Sequence, residues 1–289
     1  MGCPCELRFH SDTKRAFDRA AGQCVREILR FEKKYSRYRS ESVTSKINRA
    51  AGRTPVSIDA ETVAILRYAA VCHEQSGGLF DITSGVLRRI WNRERTSLPR
   101  ALELDASLAL VGWERVEYSE KQVYLPLKGM ELDFGGVVKE YAADAAALIA
   151  EREGVRHGLI NLGGDIRVVG PQPGGQPWPV GIVHPLRTDS AVATVSLMNG
   201  ALTTSGGYER YVAIGGRRYS HLIDPRTGWP VDGLLSVSVA AERAVVAGSI
   251  ASIALLQTPD SGLEWLERCA APFLAVDAQL TCHGHLRVE

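Results

Sequence analysis

The order of the predicted elements indicates an α+β fold with mostly antiparallel sheets and segregated helices. Most predicted strands follow one another as hairpins, while the predicted helices fall in a few separate stretches. The regular alternation of strand and helix that is typical of a doubly wound parallel sheet is absent from the pattern. The 289 residues contain no internal repeat and no long linker. We therefore expect one compact unit over residues 1–289, arranged as one or two lobes.

The composition is that of an ordinary globular protein and excludes several classes of function. Hydrophobic residues make up 45% and charged residues 23% of the chain, which excludes disorder as the main state. Because 34 Lys+Arg balance 33 Asp+Glu, the charge gives no basis for binding nucleic acid or an anionic membrane. There is also no apolar run long enough to span a membrane and no signal peptide, so we expect a cytoplasmic protein without membrane insertion.

The first half of the chain is predicted to hold one long helix among shorter elements. Apolar residues recur every three or four positions from Thr13 to Tyr35, which predicts an amphipathic helix. The polar stretch 36–52 is predicted to form turns, and Gly77 and Gly78 are expected to end a second helix. The predicted elements are a strand at Cys5–His10, helices at Thr13–Tyr35 and Asp59–Glu74, an extended segment at Leu79–Thr83, a helix at Val86–Trp91, two strands within Val116–Pro126 and a strand at Met130–Phe134.

The second half is predicted to be rich in strands. A helix should begin at Val138 directly after Gly135 and Gly136, and a hairpin should turn at Gly215-Gly216. The predicted elements are a helix at Val138–Glu151, strands at His157–Gly164, Ile166–Val169, Val180–Val183, Ala191–Leu197, Ala201–Thr203, Tyr211–Ile214, Arg218–Leu222 and Leu234–Ala241, helices at Val245–Gln257 and Leu263–Arg268, and strands at Phe273–Val276 and Gln279–Val288.

Five short segments combine glycine with polar residues. Adjacent glycines leave backbone N–H groups exposed, and a helix N-terminus that follows them attracts anions. The segments are Gly77–Thr83, Leu132–Lys139, Asn161–Asp165, Thr204–Tyr208 and His221–Pro230.

The second of these segments is the best candidate for binding an anion. It places Gly135 and Gly136 before a helix, with Lys139 in the first turn. The helix dipole does not favour a lysine there, so an anionic ligand such as a phosphate would explain it. A solvated lysine beside a structural turn is the alternative, and both interpretations remain open.

Familiar phosphate and hydrolase motifs do not account for these segments. The chain has neither GxxxxGK[ST] nor GxGxxG. Ser205, His221 and Asp224 could form a hydrolase triad, but there is no GxSxG turn to present the serine. A structural role for His221, capping the turn at Asp224-Pro225, is the other interpretation.

Taken together and in their order, the segments resemble the FAD:protein FMN transferase family, also called ApbE-like flavin transferases. The resemblance runs from the opening Met1-Gly2-Cys3-Pro4 to about Leu256. Each segment alone is a weak signal, whereas six in the family's order are specific. The matching segments are Ser36-Arg37-Tyr38 with Ser42 and Ile47-Asn48, then Gly78–Thr83, Asp133–Asp144, Asn161–Asp165, Thr204–Arg210, and His221 with Gly228.

The resemblance implies a fold, a reaction and a set of site residues. It implies an ApbE-like α+β fold that binds FAD as substrate, uses Mg²⁺, and transfers FMN to a Thr or Ser hydroxyl of a partner flavoprotein with release of AMP. His221 matches the histidine that assists the acceptor hydroxyl, and the backbone carbonyl of Gly136 matches a metal ligand. The positions that match FAD contacts are Met1, Tyr38, Leu79, Phe80, Asp81, Asp133, Lys139 and Leu222.

The chain departs from the family pattern at the predicted metal site. The resemblance implies a carboxylate and a hydroxyl four residues apart on a late helix, and this chain has Gly248 and Ser252 there. The glycine usual after the lysine is also replaced, by Glu140. We therefore expect a metal site at Gly136, Gly248 and Ser252 that is weakened, reorganised or lost. An FAD-binding paralogue without transferase activity and an FAD pyrophosphatase are the alternatives to the transferase.

Overall fold

The protein, in a computed structural model that describes residues 2–92, 94–208 and 210–286, is built around one large sheet. The strands are β1 (Cys5–His10), β2 (Val56–Ser57), β3 (Glu117–Tyr118), β4 (Gln122–Tyr124), β5 (His157–Leu162), β6 (Asp165–Val168), β7 (Trp178–His184), β8 (Arg187–Leu197), β9 (Ala201–Gly206), β10 (Tyr211–Ile214), β11 (Arg217–Ser220), β12 (Ser236–Ala241), β13 (Phe273–Val276) and β14 (Cys282–His283). The helices are α1 (Lys14–Tyr35), α2 (Val43–Ala50), α3 (Ala60–Gln75), α4 (Ala101–Leu108), α5 (Val138–Arg152), α6 (Ala244–Leu255) and α7 (Pro259–Cys269), with 3₁₀ helices at Ile82–Arg89 and Trp113–Arg115.

The large sheet has seven strands, and every neighbouring pair in it is antiparallel. Its strand order is β1-β5-β6-β9-β12-β13-β14. Three smaller antiparallel sheets accompany it, with strands β2-β4-β3, β7-β8 and β10-β11. The predicted α+β fold with mostly antiparallel sheets is therefore confirmed. The division of the chain into one or two lobes stays a prediction.

The two faces of the large sheet bury different partners, because successive side chains of a strand point to opposite faces. Ile160 of β5 faces a helical layer in which α5 packs against both α1 and α6. Leu159, the residue before it, packs with Trp178 and Val195 of the β7-β8 hairpin. The sheet is thus covered on both sides, and the helices lie together on one of them.

A third hydrophobic cluster lies beside the large cluster and supports the segment after Gly78. Val86 and Trp91, in and just after the first 3₁₀ helix, pack with Leu104 of α4 and Ile223. The indole N–H of Trp91 donates to the carbonyl of Gly228 at 2.7 Å. This cluster ties the first 3₁₀ helix, which follows the first glycine-containing segment, to the fifth segment at Ile223 and Gly228.

A buried carboxylate fixes the start of α6 and joins three central elements. The carboxylate of Asp144, on α5, accepts hydrogen bonds from Ala244 N and Val245 N, both at 3.0 Å, and so caps α6. Arg167 of β6 lies 3.2 Å from the same carboxylate. One buried acid thereby joins α5, α6 and the large sheet behind the cleft described below.

Helix α2 was not predicted, because it is short and mostly polar, and two of its three buried residues, Thr44 and Ser45, carry hydroxyls. Ser42 caps the helix by accepting from Ser45 N at 2.9 Å. The buried Thr44 hydroxyl donates to the carbonyl of Tyr35 at 2.9 Å. With only eight residues, the helix is too short for its apolar residues Val43 and Ile47 to stand out as a repeating pattern. Helix α4 was not predicted either.

The predicted strand at Met130–Phe134 is wrong, because a side chain takes the place of a neighbouring strand. Asn48 accepts from Leu132 N at 2.7 Å and donates to Leu132 O at 3.0 Å. Asp133 N donates to the carbonyl of Ile82 at 2.8 Å. The segment is therefore buried and hydrogen-bonded without belonging to a sheet.

Two other predicted boundaries also differ from the structure. The extended segment predicted at Leu79–Thr83 turns into a 3₁₀ helix at Ile82, because the Asp81 side chain caps it. The strand predicted at Gln279–Val288 is limited to Cys282–His283 among the described residues, and residues 287–289 lie outside them. No helix in the described part of the chain combines the length and the apolar character that crossing a membrane requires.

Candidate active site

The five glycine-containing segments converge on one cleft between α5, α6 and the segment after Gly78. The cleft consists of a larger cavity of about 470 Å³ and an adjoining smaller cavity of about 100 Å³. Each segment contributes at least one lining residue. The residues that line both cavities are Arg88, Asp133, Gly136, His221, Leu222 and Ser252.

The smaller cavity is formed by the buried residues Leu79, Phe80 and Asp81. Asp81 Oδ1 accepts from Thr83 N and Thr83 Oγ1, both at 2.7 Å, and Oδ2 accepts from Trp113 N at 3.2 Å. Both oxygens of this predicted FAD contact are thus engaged within the protein, so Asp81 shapes the cavity wall.

Gly136 allows the Phe80 ring to approach the cleft closely. A Cβ at Gly136 would lie 3.2 Å from the edge of that ring, which is tighter than an ordinary contact. The glycine therefore joins the aromatic wall of the smaller cavity to the N-terminal side of α5, and it leaves its backbone open to the cleft.

Asp133 is a largely buried carboxylate, with its side chain 11% exposed, and is held between two arginines. Arg37 donates to its Oδ2 at 3.0 Å, Arg88 lies 3.3 Å from the same oxygen, and Gly135 N donates to Oδ1 at 2.9 Å. Burial alone would raise the pKa of this carboxyl, but the charges of Arg88 and Arg37 outweigh burial and lower it. Asp133 is therefore ionised and fixes the glycine pair that precedes α5.

Lys139 lies in the larger cavity and pairs with a carboxylate on β6. Its Nζ lies 2.5 Å from Asp165 Oδ2 and 3.9 Å from Glu140 Oε1. Burial opposes the charged form of Lys139, yet the carboxylates of Asp165 and Glu140 raise its pKa. The ammonium is thus charged at neutral pH and lies among the cleft residues.

Glu140 also lines the larger cavity and is buried. Burial, reinforced by the charge of Asp165, raises the pKa of its carboxyl to about 8. No hydrogen-bond donor among the described residues reaches its Oε2. The predicted metal ligand Ser252 shares this cavity, and its hydroxyl lies 3.3 Å from that of Ser205.

His221 lies where the two cavities meet. Its Nδ1 lies 3.1 Å from the carbonyl of Arg210. Burial disfavours the imidazolium, and the charges of Arg88 and Arg210 add to this effect, so the pKa falls from 6.5 to about 4. The imidazole is therefore neutral near pH 7 and able to accept a proton.

The alternative Ser-His-Asp triad does not assemble. The Asp224 carboxylate instead binds Arg226, with Nη2 at 2.8 Å, and the His221 ring bonds to a backbone carbonyl. The Ser205 hydroxyl meets Ser252. The proposed turn-capping role also falls to Asp224, which accepts from Arg226 N at 2.8 Å.

The cleft brings together most of the site residues predicted from the sequence. Tyr38 lies at its rim with 85% of its surface exposed. Gly248 is not among the described lining residues, and Met1 lies outside the described part of the chain. The predicted residues that line the cleft are Tyr38, Leu79, Phe80, Asp81, Asp133, Gly136, Lys139, His221, Leu222 and Ser252.

Sequence analysis missed the arginines of the cleft. Arg37, Arg39, Arg88 and Arg210 line the larger cavity together with Lys139. Arg37 and Arg210 lie in segments that were already singled out, but an arginine among the many of this chain gives no signal of its own. With these cations and the apolar wall at Phe80, the cleft suits an elongated anion that carries an aromatic group.

Comparisons with known proteins agree with this geometry. The model of the ApbE family matches residues 1–274. A Klebsiella pneumoniae protein named FAD:protein FMN transferase is 33% identical over 245 residues, which cover 83% of this chain and 74% of that protein. A Treponema pallidum protein of the same name is 30% identical over 272 residues, covering 87% of this chain and 75% of that protein.

Solved structures show the same fold. The crystal structure of an ApbE protein from Thermotoga maritima superposes with a TM-score of 0.88 at 29% identity, over 96% of this chain and 93% of that one. The flavinyl transferase ApbE of Pseudomonas stutzeri, in its apo form, has a TM-score of 0.85 at 24% identity, over 96% of this chain and 88% of that one. At that identity the second likeness supports the fold alone.

Proposed function

Because the chain belongs to the ApbE family, we propose that it is an FAD:protein FMN transferase, which moves FMN from FAD to a hydroxyl of an acceptor protein and releases AMP. The observation that carries this proposal is the convergence of Lys139, Arg88 and a neutral His221 on one cleft with an aromatic wall. The cations suit a pyrophosphate, and the imidazole suits an incoming hydroxyl. The cytoplasmic location stays a prediction.

FAD is the substrate that the lining of the cleft supports. We assign the flavin to the side of Tyr38 and the smaller cavity at Leu79–Asp81, where aromatic and apolar surfaces are available. We assign the pyrophosphate to the N-terminal side of α5, within reach of Lys139. Charged donors that are already positioned in a partly dry site stabilise the extra negative charge of a phosphoryl transition state.

The residues present fit a magnesium ion. Among the described residues, no group of three or more histidine, cysteine or acidic side chains could hold a metal, so a site here has few protein ligands. Magnesium accepts this, since it keeps waters and binds phosphate oxygens. The Ser252 hydroxyl, the backbone carbonyl of Gly136 and Glu140 Oε2, which no described residue hydrogen-bonds, are oxygen donors in one cleft. When bound, the ion would neutralise pyrophosphate charge.

His221 is the residue that we assign to the proton. The hydroxyl oxygen of an acceptor Thr or Ser forms a bond to the phosphorus of the FMN half, and the bond from that phosphorus to the AMP oxygen breaks. The hydroxyl proton passes to His221, and AMP carries away the electrons of the broken bond. A positioned base of this kind contributes about 10²–10⁴-fold to a rate.

One experiment separates the transferase from its two rivals. The protein is incubated with FAD, Mg²⁺ and an acceptor protein of the Klebsiella pneumoniae relative, with that relative as the positive control. Chromatography then measures AMP and free FMN. A transferase releases AMP without free FMN. Equal amounts of AMP and FMN would indicate a pyrophosphatase, and unchanged FAD would indicate a binding paralogue; either result overturns the proposal.

A further inference from the structure

Glu140 is a buried acid on α5 whose two carboxyl oxygens have different surroundings. The residue is 7% exposed, and Oε2 has no hydrogen-bond partner among the described residues. Its nearest cation, the ammonium of Lys139, lies 3.9 Å from the other oxygen, beyond hydrogen-bonding distance. Leaving such an oxygen buried and unpaired is costly, so the position calls for a partner from outside the protein.

Lys139 does not supply that partner, because it already has one. Its Nζ lies 2.5 Å from Asp165 Oδ2, in a close ion pair. Two carboxylates therefore meet a single ammonium, and one negative charge remains uncompensated when both are ionised. Because Asp165 already neutralises Lys139, pairing with this lysine does not explain why an acidic residue occupies position 140.

Helix α6 has no side chain at Gly248, and the Glu140 side chain occupies the space beside it. A Cβ at Gly248 would lie 2.8 Å from Glu140 Cγ, closer than side-chain atoms approach one another, and 3.2 Å from Cδ, which is a tight contact. Glycine inside a helix costs about 0.5–1 kcal/mol relative to alanine. This destabilising glycine lies where the Glu140 side chain packs against α6, one helical turn before Ser252.

We propose that Glu140 is the carboxylate ligand of a divalent cation in the cleft, together with the Ser252 hydroxyl, and that Gly248 is small in order to admit it. Only the part that the cation plays in the reaction rests on the proposed function. Its binding to the protein is measured separately. The ligand chemistry is all oxygen, which suits Mg²⁺ or Mn²⁺. The metal site expected from the sequence to be weakened is, on this proposal, reorganised around α5.

Glu140→Gln tests the ligand directly, because glutamine keeps the shape and removes the charge. The probe is Mn²⁺, followed by electron paramagnetic resonance with and without FAD, and by melting temperature. We expect wild-type protein to bind Mn²⁺ and the variant to bind at least about tenfold more weakly, equal to about 1.4 kcal/mol. Glu153→Gln is the control, since Glu153 pairs with Arg19 and neither residue lines the cleft.

Moving the carboxylate from position 140 on α5 to position 248 on α6 tests the role of Gly248. Glu140→Gly should lose Mn²⁺ binding, and Gly248→Asp alone should melt lower because its Cβ meets Glu140. The double variant removes that clash and places a carboxylate in the same space, so Mn²⁺ binding should return to within about tenfold of wild type.

The outcomes separate this inference from the proposed function. Equal Mn²⁺ affinity in wild type and Glu140→Gln, or no Mn²⁺ binding by wild type with or without FAD, overturns the inference. Loss of Mn²⁺ binding in Glu140→Gln supports it even if no FMN is transferred. Failure of transfer alone counts only against the transferase.

Discussion

The ammonium of Lys139 and the carboxylate of Asp165 lie 2.5 Å apart and connect the first turn of α5 to the start of β6. The pair holds a charged lysine in the larger cavity and leaves it 28% exposed toward the cleft. A lysine in this position can meet a phosphate while a fixed anion keeps it extended. We therefore expect Lys139 to favour ligands that carry a phosphate over ligands that do not.

Lys139→Ala should weaken the binding of FAD much more than that of riboflavin, because riboflavin has no phosphate. A hydrogen bond to a charged group contributes about 1.5–3 kcal/mol, which corresponds to roughly 10–150-fold in the Kd of FAD. Flavin fluorescence titration measures both ligands. Lys121→Ala, an exposed lysine outside the cleft, is the control. An equal loss for FAD and riboflavin would show that Lys139 has only a structural role.

Tyr38→Ala should weaken FAD and riboflavin alike, because we assign this exposed ring to the flavin. An aromatic contact contributes about 0.5–1.5 kcal/mol, so both Kd values should rise roughly 2–12-fold. Since Tyr38 is 85% exposed, its loss should change the free energy of unfolding by no more than about 0.5 kcal/mol. Tyr118→Ala, a tyrosine outside the cleft, serves as control. Unchanged flavin affinity would remove Tyr38 from the site.

His221→Asn should abolish transfer while keeping the substrate bound. Asparagine can still bond to the Arg210 carbonyl but cannot take the hydroxyl proton. The rate of FMN transfer should fall about 10²–10⁴-fold, as expected for a lost general base. The Kd of FAD, measured by the same titration, should stay within about twofold. A rate that falls less than tenfold would mean that another group accepts the proton.

The titration of His221 should be displaced to low pH. Burial, helped by Arg88 and Arg210, lowers its pKa from 6.5 to about 4, so the imidazole stays neutral through pH 6. The unfolded chain binds this proton at higher pH than the native state, so the contribution of His221 to stability falls as pH drops from 6.5 towards 4. Nuclear magnetic resonance of the free protein follows the ring. A midpoint near 6.5 would contradict this environment.

Asp144→Ala should destabilise the fold behind the cleft. The change removes the cap of α6 and leaves Arg167 buried without its carboxylate. Removing one partner of a buried ion pair costs about 3–5 kcal/mol. Urea denaturation measures the free energy of unfolding. A loss below about 1 kcal/mol would mean that water replaces the carboxylate at both places.

The sequence predicted the elements that depend on local pattern. The amphipathic period of α1 and the glycine turn of the β10-β11 hairpin are local signals, and both elements are present. Helix α2 escaped because its eight residues are too few for Val43 and Ile47 to stand out as a repeating pattern. The Leu132 segment was mistaken for a strand because its partner is the side chain of Asn48, 84 residues earlier.

The same distinction applies to the cleft. The glycine-containing segments were found because each has a dense local pattern and the family order joins them. Arg88 was missed because an isolated arginine has no pattern, although it lies 3.3 Å from Asp133. The closeness of Glu140 to Gly248 could not be predicted from local sequence, because α5 and α6 come together only through packing.

The intact mass of an acceptor protein is the measurement that tests the transferase most directly. Wild-type protein, FAD and Mg²⁺ are incubated with an acceptor of the Klebsiella pneumoniae relative, and His221→Asn is run in parallel. The account predicts that the acceptor gains one FMN less one water with wild type, on a Thr or Ser, and gains nothing with the variant. An acceptor of unchanged mass after wild-type treatment, under conditions in which the relative modifies it fully, would contradict the account.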